Sequence, residues 1–193
     1  MKYFKSILML LTVIAFVSCK NDKKTEETTT EVEVEEVETP VEPKKMVSIE
    51  LSPKSGSDVK GSVVFKEENN QVNFMAKMTG LSEGTHAIHI HESADCSSED
   101  GKSAGGHWNP TAQPHGKWGD EAGYHKGDIG NFEVGADGVG TISMSTDQWC
   151  IGCDDDTKNI LGKAIIVHQG TDDFTSQPSG AAGARVSCAG IIE

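Results

Sequence analysis

Hydrophobic and polar residues alternate in short segments after Pro43, a pattern typical of half-buried β-strands and not of long amphipathic helices. Turn residues separate the segments, and Ala136-Asp137-Gly138 predicts a hairpin turn. No helical crossover fits between consecutive strands, so we expect antiparallel pairing in a Greek-key β-barrel or a sandwich. The pattern predicts an all-β domain of eight strands, over residues 46–51, 59–66, 72–78, 85–91, 129–134, 139–144, 163–168 and 185–191.

Three long loops interrupt this pattern, over residues 92–128, 145–162 and 169–184. Loops of that length in a compact domain usually carry function. The 193 residues allow one domain, which we place at residues 46–193, and the formal charge of -13 argues against nucleic acid as a partner. An anionic substrate would therefore have to be attracted by local positive charge.

The amino-terminal residues resemble an export signal. Lys2 and Lys5 precede an apolar run over residues 7–17 that is too short to span a bilayer, and Val17-Ser18-Cys19 follows. We predict a lipoprotein signal peptide over residues 1–18 and a lipid on Cys19, while a plain secretory signal with a chance cysteine is the alternative. Either reading takes the mature protein out of the cytoplasm. The lipoprotein reading places it in the cell envelope, as a periplasm-facing or surface lipoprotein in contact with a membrane only through that lipid.

Residues 19–45 contain the run EVEVEEVE, in which the glutamates repel one another and nothing nearby covers the valines. We predict an acidic, disordered tether after the lipidated cysteine. Such a segment either spaces the domain from a membrane surface or is a solvated leader without a role.

Histidines in the chain are arranged as metal ligands. His89 and His91 are two residues apart on a predicted strand, so their imidazoles share one face and form a half-site for copper or zinc. His168 ends another apolar strand and can approach that face. The loop after Glu92 supplies the donor set that zinc prefers in a tetrahedral site, in the form of His107, His115, His125 and Asp128.

The ordered motifs HAIHIHE, GGHWNP, YHKGD, HQGTDDF and GARVSC resemble the copper/zinc superoxide dismutase family over the whole of residues 46–193. The resemblance implies an immunoglobulin-like barrel or sandwich with long metal-binding loops, and one copper and one zinc ion per subunit. His107 would bridge the two ions. The implied copper ligands are His89, His91, His107 and His168, and the implied zinc ligands are His107, His115, His125 and Asp128.

The same resemblance assigns roles around the ligands. Asp172 matches an aspartate that joins a copper ligand to a zinc ligand, and His86 matches a structural histidine. Arg185 matches an arginine beside the copper channel, and Cys96 with Cys188 matches a disulfide. The alternatives are a surface ion pair for Arg185, free thiols for the two cysteines, and no metal at any histidine taken singly.

The implied activity is that of an antioxidant oxidoreductase, which converts superoxide to oxygen and hydrogen peroxide as copper alternates between Cu(II) and Cu(I). His107 would donate a proton and Arg185 would hold the anion. The resemblance leaves a monomer or a homodimer open. A non-catalytic copper- and zinc-binding protein of the envelope is the alternative function.

Two features depart from the family pattern. Cys150 and Cys153 form a C-x-x-C motif, for which we favour a local disulfide, with additional metal binding, redox chemistry or copper delivery as alternatives. The loop over residues 169–184 contains no lysine, so attraction of an anion must depend on Arg185 and on Lys102, Lys117 or Lys126.

Overall fold

The computed structural model describes residues 45–193. The predicted signal peptide, the predicted lipid on Cys19 and the acidic segment up to residue 44 lie outside the described residues. Lys45, the last residue of the predicted tether, is the first residue of a strand. Within residues 45–193, no helix has both the length and the hydropathy needed to cross a membrane.

The predicted all-β fold is confirmed, and each predicted strand agrees with an observed one to within two residues at either end. One turn of 3-10 helix, Lys102–Ala104, lies in the first long loop. The strands are β1 (Lys45–Pro53), β2 (Lys60–Glu68), β3 (Gln71–Thr79), β4 (Gly84–His91), β5 (Gly130–Val134), β6 (Gly140–Thr146), β7 (Ala164–His168) and β8 (Arg185–Gly190).

The strands form a closed antiparallel barrel in the order β1-β2-β3-β6-β5-β4-β7-β8. Strands β4, β5 and β6 follow one another along the chain, and β7 returns to lie beside β4, which is Greek-key connectivity. The barrel closes where β1 meets β8, with Ser52 opposite Cys188 and Pro53 opposite Ser187. The sequence pattern allowed a barrel or a sandwich, and the closed hydrogen-bonded order is that of a barrel.

The interior is filled by the inward-facing residues of the strands. Along β3, for example, Val72, Phe74, Ala76 and Met78 are buried while the residues between them are exposed. Burying a side chain of this size contributes about 1.5–3 kcal/mol relative to leaving it in water. The alternation therefore fixes which face of each strand points inward.

Strand β4 differs because its last six residues, His86 to His91, are all buried. Ile88 and Ile90 belong to the hydrophobic core, so His89 and His91, which alternate with them, point to the opposite face of the strand. That outer face can be buried only if other parts of the chain cover it. His89 and His91 are consequently enclosed on the outside of the barrel wall.

Candidate metal centre

Three histidines of the centre belong to the strands. His89 and His91 lie on β4, with 0% and 1% of their surfaces exposed, and His168 is the last residue of the neighbouring β7. Residue 107 is brought to the same wall by an antiparallel bridge between His91 and His107, beside a hydrogen bond from the Trp108 amide to the Ile90 carbonyl oxygen. The loop thus continues the sheet for one residue pair at this point.

The first set of side chains consists of His89, His91, His107 and His168, whose ligand atoms lie within 4.8 Å of one another. In the described part of the chain, Nδ1 of His89, Nε2 of His91, Nε2 of His107 and Nε2 of His168 are buried and have no hydrogen-bond partner. A buried polar atom without a partner costs about 1–3 kcal/mol. Four such nitrogens that converge on one point fit a metal ion with imidazole ligands, as copper prefers.

The remaining ring nitrogens of the two β4 histidines fix the orientation of their rings. His91 donates a hydrogen bond from Nδ1 to the Gly105 carbonyl oxygen over 2.9 Å, and His89 donates one from Nε2 to Asp172 over 2.9 Å. Each ring has one nitrogen engaged in this way, so only its other nitrogen faces the common centre. These partners select the tautomer that a metal ion requires.

The second set of side chains consists of His107, His115, His125 and Asp128, and its ligand atoms also lie within 4.8 Å of one another. The Asp128 carboxylate oxygens are 2.8 Å from Nδ1 of His107, 3.0 Å from Nδ1 of His115 and 3.2 Å from Nδ1 of His125. Asp128 also accepts hydrogen bonds from the amides of Gly116 and His125. Three imidazoles around one buried carboxylate fit zinc.

His107 belongs to both sets. Its Nε2 is one of the unpaired buried nitrogens of the first set, and its Nδ1 contacts Asp128 in the second set. The centroid of its ring is 4.0 Å from that of His89 and 5.3 Å from that of His115. A single imidazole therefore stands between the strand-borne and the loop-borne groups.

Asp172 joins the two sets from the outside. One carboxylate oxygen accepts from Nε2 of His89 over 2.9 Å and the other accepts from Nε2 of His115 over 2.8 Å. Asn131 of β5 holds this aspartate through two hydrogen bonds of 2.8 Å to the main chain of Asp172. Asp172 therefore contacts one imidazole of each set.

Burial and the two aspartates move the pKa values of the site in opposite directions. Burial lowers the pKa of His89, lowers that of His91 and His168 well below the ordinary value, and lowers that of His107 to about 4. Burial also acts to lower the pKa of His115, but hydrogen bonds to Asp128 and Asp172 outweigh it and raise this pKa to about 9. The strand-borne imidazoles are thus held neutral, as metal ligands must be.

The carboxyl groups remain ionised despite their burial. Desolvation opposes the charge on Asp128, but hydrogen bonds from His107, His115 and His125 hold the pKa of its carboxyl far below the usual range. The pKa of Asp172 is depressed in the same way by His115 and His89, against the same opposing burial. Two negative charges are therefore placed where a cation can be bound.

An open cavity of about 550 Å³ leads to the first set. Its lining includes His91, His107, His125, His168 and Arg185, together with part of the loop over residues 178–183. Arg185 donates to the carbonyl oxygens of Gly101 and Gly105, both over 2.8 Å, so its guanidinium group has a fixed direction. Among the residues that line this cavity, the described lysines 102, 117 and 126 do not appear.

His86 lies outside both sets, as its position on the other face of β4 predicts. It is buried, and its ring contacts the carbonyl oxygens of His168 over 3.0 Å and of Ser82 over 2.9 Å. The Ser82 hydroxyl also lies 3.3 Å from Nε2, so each ring nitrogen has a polar partner, which fits a structural role at the end of β7.

The four described cysteines form two disulfides, Cys96–Cys188 and Cys150–Cys153. The first ties the loop after β4 to strand β8 and closes a sequence separation of 92 residues. The second closes a separation of three residues within the connection between β6 and β7, as favoured from the sequence. With both sulfurs of that motif bonded to each other, neither is available as a thiolate ligand.

Sequence reasoning missed several polar side chains around the site. Gln177 accepts a hydrogen bond from the His115 amide and donates one to the His115 carbonyl oxygen, both over 2.9 Å. Asn131 holds Asp172 in the same manner, and Glu92 accepts from the Gly106 amide over 3.1 Å. These residues contact main chain that is distant in sequence, so no motif or periodicity marks them.

Comparisons with known proteins agree with this geometry. A family model described as copper/zinc superoxide dismutase (SODC) matches residues 59–191. A curated relative, "Superoxide dismutase [Cu-Zn] 2" of Mesembryanthemum crystallinum, is 38% identical over 143 residues, which is 70% of this chain and 88% of that protein. A crystal structure of a double mutant of a SOD-like protein from Bacillus subtilis is 33% identical, with a TM-score of 0.67, and covers 76% of this chain and 97% of that one.

Proposed function

The chain belongs to the copper/zinc superoxide dismutase family, and we propose that it converts two superoxide anions and two protons to oxygen and hydrogen peroxide. One observation carries the proposal. Buried ligand atoms converge in two sets of four, one of four imidazoles and one of three imidazoles and a carboxylate, and the two sets share His107. Ligand sets that share an imidazole allow a redox metal and a structural metal to act as one unit.

The donor atoms of the two sets differ, which assigns the metals. We assign copper to His89, His91, His107 and His168, and zinc to His107, His115, His125 and Asp128. When bound, copper supplies a one-electron carrier that alternates between Cu(II) and Cu(I), and zinc supplies a fixed positive charge. The protein holds the imidazoles neutral and oriented through Asp172 and the Gly105 carbonyl oxygen.

His107 is positioned to move a proton. Its Nε2 faces the first set and its ring lines the cavity, while its Nδ1 is fixed by Asp128. In this proposal Nε2 takes up a proton in the first half of the cycle and donates it to the product in the second half.

Arg185 holds the substrate. The chain carries a formal charge of -13, which repels an anion in general, so a local positive charge has to act over a short distance. Arg185 lines the cavity together with His91, His107 and His168. A guanidinium group fixed by two carbonyl oxygens can donate a charge-assisted hydrogen bond to superoxide without reorganisation.

Metal analysis beside a superoxide dismutation assay tests the proposal. The purified protein is assayed as isolated, after copper is removed with a chelator, and after copper is restored. We expect activity to follow copper content, with zinc retained throughout. Stoichiometric copper binding without any turnover would contradict the proposed activity and would leave a metal-binding protein.

The role of Arg185 is tested with a matched charge control. We expect Arg185→Ala to lower the rate constant about tenfold at low ionic strength and to flatten its dependence on salt, because local attraction is lost. Lys102→Ala removes the same charge from a side chain that pairs with Asp100 over 3.0 Å and lies outside the cavity lining. Equal effects of the two variants, or an unchanged salt dependence in Arg185→Ala, would contradict the assignment.

The site of action is proposed from the sequence. Lys2, Lys5 and the apolar run before Cys19 support export and lipidation, and structural disulfides such as Cys96–Cys188 persist outside the cytoplasm. We propose that the enzyme is an envelope lipoprotein. Labelling with radioactive palmitate should mark the wild type and not Cys19→Ser, whereas label in both proteins would contradict lipidation of Cys19.

A further inference from the structure

The connection between β6 and β7 contains a segment for which the reaction described above gives no role. It carries Gln148 and Trp149, directly before the C-x-x-C disulfide. We propose that Gln148 and Trp149 are positioning residues for the turn Tyr124–Asp128, which carries two of the proposed zinc ligands. This inference rests on the assignment of zinc to His125 and Asp128.

Three hydrogen bonds connect the segment to that turn. Gln148 donates from Nε2 to the Tyr124 hydroxyl over 2.6 Å and accepts from Nζ of Lys126 over 2.6 Å. Trp149 donates from Nε1 to the Lys126 carbonyl oxygen over 2.8 Å. Two of these bonds end on the side chains of the residues that flank His125, and the third ends on the main chain of Lys126, so together they fasten the turn on both sides of this ligand.

Trp149 is itself anchored in the barrel. It is 1% exposed and packs edge-on against Phe65 and Phe74, with ring centroids 6.3 Å and 6.2 Å away. On its other side lies Trp118 of the first long loop, at 5.4 Å, which in turn packs against Tyr124 at 5.1 Å. Trp149 therefore connects the rigid core to the loop that bears the zinc ligands.

The disulfide follows Trp149 in the chain and closes the segment on itself. Cys150 pairs with the next part of the connection, through its amide to Lys158 and its carbonyl oxygen to Ile160. The Ile151 amide donates to Glu67 of β2 over 2.9 Å. The residues after Trp149 are thus fastened to the barrel, while the side chains of Gln148 and Trp149 hold the turn Tyr124–Asp128.

Positioning of this kind acts on zinc and not on copper. The proposed copper ligands other than His107 lie on β4 and β7, which the segment does not contact through any described hydrogen bond. Loss of the three bonds should therefore speed the release of zinc and leave the retention of copper unchanged. Glutamate at position 148 can still accept from both Lys126 and the Tyr124 hydroxyl, so it should preserve the effect.

The test measures the rate at which zinc passes from the copper- and zinc-loaded protein to a coloured chelator, with copper content followed in parallel. We expect Gln148→Leu and Trp149→Phe to release zinc about tenfold faster than the wild type, since outer partners of metal ligands change affinity by 10–100-fold. Gln148→Glu should release zinc within about twofold of the wild-type rate, because a carboxylate can accept hydrogen bonds from both Lys126 and the Tyr124 hydroxyl. Cobalt placed in the zinc site should show an altered visible spectrum only in the two variants that lose bonds.

Gln113→Leu is the matched control. Gln113 lines the same polar cleft as Gln148, but its side chain donates only to the Thr111 carbonyl oxygen in the described structure. The inference would be overturned if Gln148→Leu released zinc at the wild-type rate, or if Gln148→Leu and Gln113→Leu released zinc at the same rate. His125→Ala separates this failure from a failure of the zinc assignment, because unchanged zinc binding in that variant would show that the ligand set itself is wrong.

Discussion

The two halves of the metal centre are built in different ways. The strand-borne half, His89, His91 and His168, is fixed by β4 and β7, whose side chains are enclosed between the core and the covering loops. The loop-borne half, His115, His125 and Asp128, lies in the 38-residue connection between β4 and β5, of which one turn is 3-10 helix. The first half is held by the ladder hydrogen bonds of the sheet, and the second half depends on cross-links.

The comparison shows where each kind of support acts. The loop-borne residues are held by the Cys96–Cys188 disulfide, by Asp172, by the Gln177 clamp on His115 and by the bonds from Gln148 and Trp149. Each of these supports comes from a part of the chain far along the sequence. Loss of a cross-link should therefore speed the release of zinc more than the release of copper.

Removal of His107 should have the largest effect because this residue belongs to both halves. We expect His107→Ala to lose at least 100-fold in dismutation and to bind both metals more weakly, since ligands matter more than the outer partners whose loss costs 10–100-fold. His168→Ala and His125→Ala serve as comparisons. Metal analysis should show copper lost from His168→Ala and zinc lost from His125→Ala. Retention of either metal at wild-type affinity in His107→Ala would contradict a shared ligand.

Removal of the long disulfide should have the next largest effect. A disulfide that closes a segment of about 90 residues lowers the entropy of the unfolded chain and so stabilises the folded protein by about 4–5 kcal/mol. We expect Cys96→Ser/Cys188→Ser to lower the free energy of unfolding by an amount near this and to release zinc faster than copper. Denaturant titration and metal release measure the two results, and a variant that loses copper first would break the distinction between the halves.

Acidity should destabilise the metal-free protein through the four histidines of the first set. Burial lowers the pKa of His89, His91 and His168, and that of His107 to about 4, so the unfolded chain binds more protons below pH 6.5 and stability falls as the pH falls. The pKa of His115 is raised to about 9, so its contribution is complete below pH 6.5 and is lost as the pH rises through 9. Denaturant titration of the metal-free protein should give maximal stability near pH 6.5, and a steady rise up to pH 9 would contradict these shifts.

Removal of the short disulfide should have the smallest effect. Because it closes a segment of only four residues, this disulfide stabilises the folded protein by only about 2 kcal/mol. The main-chain hydrogen bonds between Cys150 and Lys158 and between Cys150 and Ile160 remain in its absence. We expect Cys150→Ser/Cys153→Ser to lower the free energy of unfolding by about 2 kcal/mol or less, with zinc release changed less than in Gln148→Leu. A larger loss of zinc than in Gln148→Leu would assign the positioning to the disulfide itself.

The alternation of residues predicted the strands well because burial on one face of a sheet imposes a period of two. The shared direction of His89 and His91 followed from the same period, as did the separate direction of His86. The sharing of His107 between two metals and the pairing of Cys96 with Cys188 came from the resemblance to a family. Neither could be read from spacing, because both depend on how distant segments fold together.

The side chains that hold the metal ligands in place could not be predicted from the sequence, for a physical reason. Gln177 and His115 are 62 residues apart, and Asn131 and Asp172 are 41 apart. An amide side chain that binds a distant main chain needs no neighbour of a given type, so it leaves no local pattern. Trp149 was equally hidden, since an isolated tryptophan in a loop gives no sign that it reaches the core.

The place of Cys188 couples the long disulfide to closure of the barrel. This cysteine lies on β8, opposite Ser52 at the seam between the first and last strands. Closure of the seam fixes Cys188 where Cys96 of the first long loop meets it. Formation of the native disulfide and completion of the sheet therefore favour each other, and the loop that bears the metal ligands is fastened to the strand that closes the barrel.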